Sequence, residues 1–150
     1  MNRSEYREET FKFLYSLQLN KNIDIDEQID FYLKSEDINE KACITYLKNT
    51  IKGINENESE IIKLIEKNIK EGWTISRISK VDLTLLKLGT FEIIYSKIPY
   101  KVVINEVVEL SKKYGDDNSK AFINGVLATI VKENESNNSD LQTENEEKNN

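Results

Sequence analysis

The residues able to do chemistry are few, and their pattern argues against catalysis. The 150-residue chain has no histidine and one cysteine, Cys43. That removes Ser-His, Cys-His and the usual zinc constellations together. Glu92, Glu106 and Glu109 could suggest a carboxylate pair for acid/base work. No nucleophile, metal set or glycine-rich phosphate loop accompanies them, so Glu92 and Glu106 read as structural, bonded to buried backbone or to Asn105. Cys43 sits in a helical pattern and reads as a small core residue; a lone thiol fits a reducing compartment. What remains is charge and aromatic surface. Arg3, Arg7 and Lys12 are interleaved with Glu5, Glu8 and Glu9. They read either as a solvated helix face with an i,i+4 pair from Glu8 to Lys12, or as a phosphate site, for which arginine's planar fork is suited. Tyr15 and Phe122 are available for stacking on unpaired bases, or for core packing.

These residues must be positioned by helices, because the apolar spacing is helical throughout and no strand alternation appears. Ile98-Pro99 marks a chain break, since the residue before proline avoids the helical region. After it Val103, Ile104, Val107, Val108, Ser111 and Tyr114 form one stripe, and Lys112, Lys113 and Gly115 mark its end. The connector Asp116-Asp117-Asn118 leads to Ser119 as an N-cap. A second stripe follows through Phe122, Ile123, Val126, Leu127, Ile130 and Val131. A short connection implies that these two helices are antiparallel neighbours. Asn105 and Asn124 are expected to be buried and hydrogen-bonded, and Gly125 to mark a close helix approach.

Earlier in the chain, Ser4 to Leu19 reads as a first helix, ended by Asn20-Lys21-Asn22. A short second helix is capped by Asp24 or Asp26 and carries Ile29, Tyr32 and Leu33. A third, capped by Asn39, turns Cys43, Tyr46, Leu47, Thr50, Ile51 and Ile54 inward. A fourth runs from Glu58 to Glu71, stopped by Gly72, with Trp73 anchoring the next turn on the core. A fifth starts near Ser79 and is apolar nearly all round, which predicts the most buried helix. Residues 134–150 hold almost no apolar side chain and read as a disordered acidic tail. The predicted architecture is all-α: about seven helices in two packed sub-bundles over residues 1–133.

The net charge of −6 argues against a generic nucleic-acid coat, though not against a local basic patch. No apolar run suggests a signal peptide or a membrane span, so the cytoplasm is the expected compartment.

Three stretches carry a family resemblance. One is Ile98-Pro99-Tyr100-Lys101-Val102-Val103-Ile104-Asn105-Glu106-Val107-Val108-Glu109-Leu110-Ser111-Lys112 with Phe122-Ile123-Asn124-Gly125-Val126-Leu127. The second is Arg7 with Thr10-Phe11 and Phe13 to Leu19, and the third is Trp73 to Ile78 with Val81-Asp82 and Leu85 to Glu92. Together they resemble the signature of the NusB transcription antitermination factors, over roughly residues 3 to 133. The middle, from Asn22 to Asn68, matches only as helical pattern. The resemblance implies an all-helical, non-catalytic protein without a cofactor, acting in the transcription elongation complex. It implies binding to boxA RNA together with ribosomal protein S10 (NusE).

By resemblance the RNA-binding residues are Arg3, Arg7, Lys12, Tyr15, Asn118, Lys120 and Phe122. Family members carry an arginine-rich N-terminus, which is sparse here, and often an acidic residue where this chain has Asn118. Ser76, Arg77, Lys80, Asp82, Asn118 and Phe122 are implied to meet S10, an acidic region against a basic protein. Asp82 alternatively stabilises a helix N-terminus, and residues 116–120 alternatively form an ordinary turn. Three rival readings remain. One is a protein-binding helical module with little RNA contact, and another a homodimer that masks the RNA face. The third is the helical domain found at the N-terminus of RNA cytosine methyltransferases, which would need a following cofactor domain.

Overall fold

The computed structural model describes residues 1–19 and 24–149, with side chains to residue 137. Seven helices follow in order: α1 (Arg3–Leu19), α2 (Ile25–Ser35), α3 (Lys41–Glu56), α4 (Glu58–Lys67), α5 (Lys80–Tyr95), α6 (Tyr100–Tyr114) and α7 (Ser119–Asn149). No strand occurs among the described residues. The expected end of α1 at Asn20-Lys21-Asn22 lies outside them.

Local chemistry sets most boundaries. Asp24 caps α2 by accepting from the Asp26 and Glu27 N–H groups at 2.9 and 3.3 Å. Ser79 caps α5 by accepting from the Asp82 N–H at 3.1 Å. Pro99 directly precedes α6, whose last turn carries Lys112 and Lys113. The Gly115 N–H then closes α6 on the Ser111 carbonyl. Two boundaries differ from expectation. Glu40, not Asn39, stands at the N-cap of α3 and makes no side-chain cap; Asn39 bonds back to Asp37 instead. α4 ends at Lys67, because Asn68 turns its side-chain amide onto the Leu64 carbonyl and to Glu133.

Two groups of helices share α5. It packs on α6 and α7 on one side and on α1, α3 and α4 on the other. α5 therefore has apolar residues around its circumference; Leu85, Leu86 and Leu88 are fully buried. Gly89 is one point of close approach, and Gly53 of α3, against the Phe91 ring, is another. A Cβ at Gly89 would lie 2.9 Å from a Leu127 methyl, so the α5–α7 crossing needs glycine. Gly125 does not have the role expected of it. It is exposed, with nothing within 4 Å of an added Cβ. Asn105 and Asn124 are likewise exposed rather than buried, each falling between the inward positions of its stripe. α7 runs on to Asn149, past Val131, the last buried residue among those described.

Candidate nucleic-acid and partner interface

The strongest cation in the sequence pattern is not on the surface. Arg7 lies on α1 where it faces α5, and it is 2% exposed. Its Nε and Nη2 donate to the two carboxylate oxygens of Glu92 at 2.8 Å each, while Nη1 lies 3.5 Å from Glu106. The Tyr46 hydroxyl donates to Glu92 as well, at 2.5 Å. Burial alone would lower the Arg7 guanidinium, but the hydrogen bonds and charge of Glu92 outweigh it and raise it above its ordinary value. Arg7 is thus a core ion pair joining the two helical groups, not a phosphate-facing arginine. Glu92 and Glu106 are structural as expected, but their partner is Arg7 rather than Asn105.

Lys12 is half-exposed and is balanced by Glu9 at 3.5 Å and Glu8 at 4.0 Å. Glu8 also accepts from Lys113 at 2.8 Å and from the Tyr114 hydroxyl at 2.9 Å. The Lys113 ammonium holds the Glu8 carboxyl below its ordinary range. Tyr15 is half-buried against Phe11, which packs on Tyr114 with ring centroids 5.0 Å apart. Lys12 and Tyr15 therefore adjoin the C-terminal end of α6, from which the connector 115–118 departs.

That connector is built around two side chains. The Ser119 hydroxyl accepts from the Asp116 N–H at 3.0 Å, and Asp116 Oδ1 accepts from the Asn118 N–H at 2.8 Å. Gly115 is needed here, since a Cβ would lie 2.5 Å from Ser119 Oγ. The tight turn leaves Asn118 and Lys120 exposed. Phe122 is half-buried, its ring tilted against Trp73 at a centroid distance of 6.1 Å. Trp73 is 50% exposed, so it does not anchor the core as expected. It follows Gly72, whose φ of +88° makes the turn that presents it. This aromatic pair ties the connector between α4 and α5 to the start of α7.

Ser76, Arg77 and Lys80 are exposed on that same connector and on the first turn of α5. Arg77, Lys80 and Lys120 form no ion pair among the described residues. Asp82 belongs to the same end of the molecule but not to its surface. It is 8% exposed, its Oδ1 has no partner among the described residues, and burial pushes its carboxyl up, with Asp116 adding to the effect. An acidic side chain so placed is shielded from a basic partner, which corrects the expectation of an exposed acidic contact there.

The candidate residues thus fall into three sets. Asn118, Lys120, Phe122, Ser76, Arg77 and Lys80 gather at one end around Trp73, with Lys12 and Tyr15 next to it along α1. Arg7 and Asp82 are interior. Arg3 lies in a groove with Tyr95, toward the far end of α1, about 13 Å along the helix axis from Lys12 at 1.5 Å per residue. Trp73 is the residue sequence reasoning misplaced. Its signal was its position: a lone tryptophan just after a glycine in a polar connector.

The sequence pattern described as the NusB family matches residues 4–132. The chain belongs to the NusB family. It is 40% identical over 134 residues to the transcription antitermination protein NusB of Clostridium novyi, covering 88% of this chain and 99% of that one. The NusB of Acetivibrio thermocellus is 42% identical over 133 residues, 88% of this chain and 90% of the relative. Among solved structures, the NusB of T. maritima superposes with a TM-score of 0.82 at 34% identity, covering 89% of this chain and 92% of that one. A structure of the antitermination factors NusB and NusE in complex with double-stranded RNA aligns with a TM-score of 0.78 at 30% identity, over 88% of this chain and 98% of the other. NusB-family membership and the all-α fold expected from the sequence both hold. No described helix is long and apolar enough to cross a membrane.

Proposed function

We propose that this chain is a transcription antitermination factor that binds boxA-like RNA together with ribosomal protein S10 (NusE), in support of rRNA transcription. The family match across residues 4–132 carries this reading, and the relatives it resembles are antitermination proteins. The NusB–NusE–RNA assembly among its structural neighbours supports the partners. The protein works without catalysis, in the cytoplasm, as part of the elongation complex. Residues 1–133 supply the RNA-binding domain, and residues 134–150 form an acidic tail dispensable for it.

Binding is assigned to the Trp73–Phe122 end. Exposed aromatic faces stack on unpaired bases, so the segment held there is single-stranded. Lys120 and Lys12 supply phosphate contacts, and Asn118 places a neutral amide where a carboxylate would repel the backbone. Ser76, Arg77 and Lys80, beside Trp73, are assigned to S10 or to the seam between S10 and RNA. A protein-binding module with little RNA contact is the second reading. The withdrawal of Arg7 into the core and the pairing of Lys12 with Glu9 favour it.

Fluorescence anisotropy of a labelled boxA-like oligonucleotide with S10 present tests the assignment. Phe122→Ala is expected to weaken binding by about 1–3 kcal/mol, the scale of one base stack. Lys120→Ala is expected to lower the salt dependence by about one phosphate contact. Wild-type affinity in both variants would move the RNA surface elsewhere.

A further inference from the structure

One concavity of the molecule lies outside the surface just assigned. It is a groove of about 1010 Å3 between the start of α1, α3 and the end of α5. Its cations come from three separate elements: Arg3 from α1, Lys41 from α3, and Lys97 from the connector after α5. All three are exposed and none forms an ion pair among the described residues. Among the described residues no carboxylate lines the groove, although the whole chain carries a net charge of −6. Of the nearby acids, Glu92 is matched by Arg7 and Glu40 by the N-terminal ammonium and the Tyr6 hydroxyl, while Glu5 accepts from the Asn2 N–H at the start of α1.

The wall is aromatic. Tyr95 is 42% exposed and is stacked on Phe91 with a centroid distance of 5.7 Å and an interplanar angle of 24°. One face of its ring is thus held in place by a buried neighbour. Thr45 and Asn49 add hydroxyl and amide groups from consecutive turns of α3. A rigid aromatic face, adaptable polar groups and converging unpaired cations match the chemistry of a nucleotide, with a base to stack and a phosphate to neutralise. Polyanion capture by a chain of negative net charge requires such local segregation of cations.

We propose that this groove is a second contact site for single-stranded RNA, taking a base against Tyr95 and its phosphates at Lys41, Lys97 and Arg3. The identity of the polymer rests on the RNA-binding reading above; the groove itself does not. Arg3 and Lys12 stand nine residues apart on α1, about half a turn out of phase, so the groove and the Trp73–Phe122 end are separate surfaces that a longer strand could occupy together. The site then reads no particular base, because stacking is tolerant of sequence. Its effect is to add affinity for RNA longer than the specific element.

Amide chemical-shift mapping of the full chain, titrated with a short oligouridine and separately with uridine monophosphate, tests this. Lys41→Glu/Lys97→Glu and Tyr95→Ala serve as variants, each with its folding checked by circular dichroism. Saturable shifts are expected at the amides of Ala42, Thr45, Asn49, Tyr95 and Lys97. In the charge-reversal variant they should weaken by about ten-fold or more at low salt, and the salt slope should fall by about 0.7 for each phosphate that is no longer neutralised. Shifts at Asn118 to Phe122 should persist in that variant. Unmoved groove amides in wild type, or equal shifts in wild type and charge-reversal variant, would overturn the proposal. Groove shifts with the mononucleotide but not with oligouridine would overturn the RNA assignment in favour of a free-nucleotide pocket. Groove shifts with none at Asn118 to Phe122, even with S10 added, would sink the earlier reading and leave this one standing.

Discussion

Arg7 decides how the N-terminal charge should be understood. A bidentate pair at 2% exposure is a poor candidate for capturing RNA but a strong determinant of the fold. Removing one partner leaves a buried, uncompensated carboxylate. Arg7→Ala is therefore expected to destabilise the chain by about 3–5 kcal/mol, read as a lower urea midpoint. Any accompanying drop in RNA binding would then follow from unfolding rather than from a missing contact. Asp82 makes a prediction of opposite sign. Burial raises its carboxyl in the folded state, so the group stabilises folding below its unfolded value and costs stability as pH rises through the folded value. Asp82→Asn is expected to raise the urea midpoint near neutral pH. The gain should shrink as pH falls through the raised folded value and be gone below about 4, where the unfolded aspartate is itself protonated. An unchanged midpoint at neutral pH would mean that helix-dipole and hydroxyl contacts fully compensate the burial. At this scale sequence reasoning was least successful. A charge pattern shows which residues carry charge, but only the contact of α1 with α5 reveals that Arg7 has a partner 85 positions away.

The elements were legible because apolar period, proline and caps are local. The α6 and α7 stripes, Pro99 and the Ser79 and Asp24 caps all follow from their own neighbours in sequence. What was not legible is which side of a helix meets another helix. Gly89 and Gly125 both interrupt helices, and sequence alone attached close approach to the wrong one. Gly89→Ala is expected to cost about 1–3 kcal/mol through overpacking against Leu127, whereas Gly125→Ala should gain roughly 1 kcal/mol from helix propensity. Chemical denaturation of the two variants side by side checks the contrast. A stabilised Gly125→Ala that still binds RNA and S10 normally would leave that exposed glycine without a structural role. Trp73 was misplaced for a related reason. An aromatic residue after a turn packs on whatever lies nearby, and here that is Phe122 at the surface rather than the core.

At the scale of the molecule, α5 unites two helical groups, and the surface divides into distinct chemistries. The Trp73–Phe122 end offers aromatic faces beside Lys120, Arg77 and Lys80. The opposite region of α1 opens onto the Tyr95 groove. Between them, Glu8 and Glu9 balance Lys12 and Lys113, so free cation density is concentrated at the two ends rather than spread along α1. That distribution reconciles a net charge of −6 with RNA binding and predicts weak affinity for RNA alone. A basic partner adjoining the aromatic end would supply the missing positive field. The most direct measurement is the affinity of the wild-type chain for a boxA-like oligonucleotide at fixed salt, with and without S10. Binding that is weak alone, tightens by about ten-fold or more with S10 and disappears for a scrambled RNA is the predicted result. A tight complex with S10 that excludes RNA at every concentration would contradict it and leave a protein-binding module in its place.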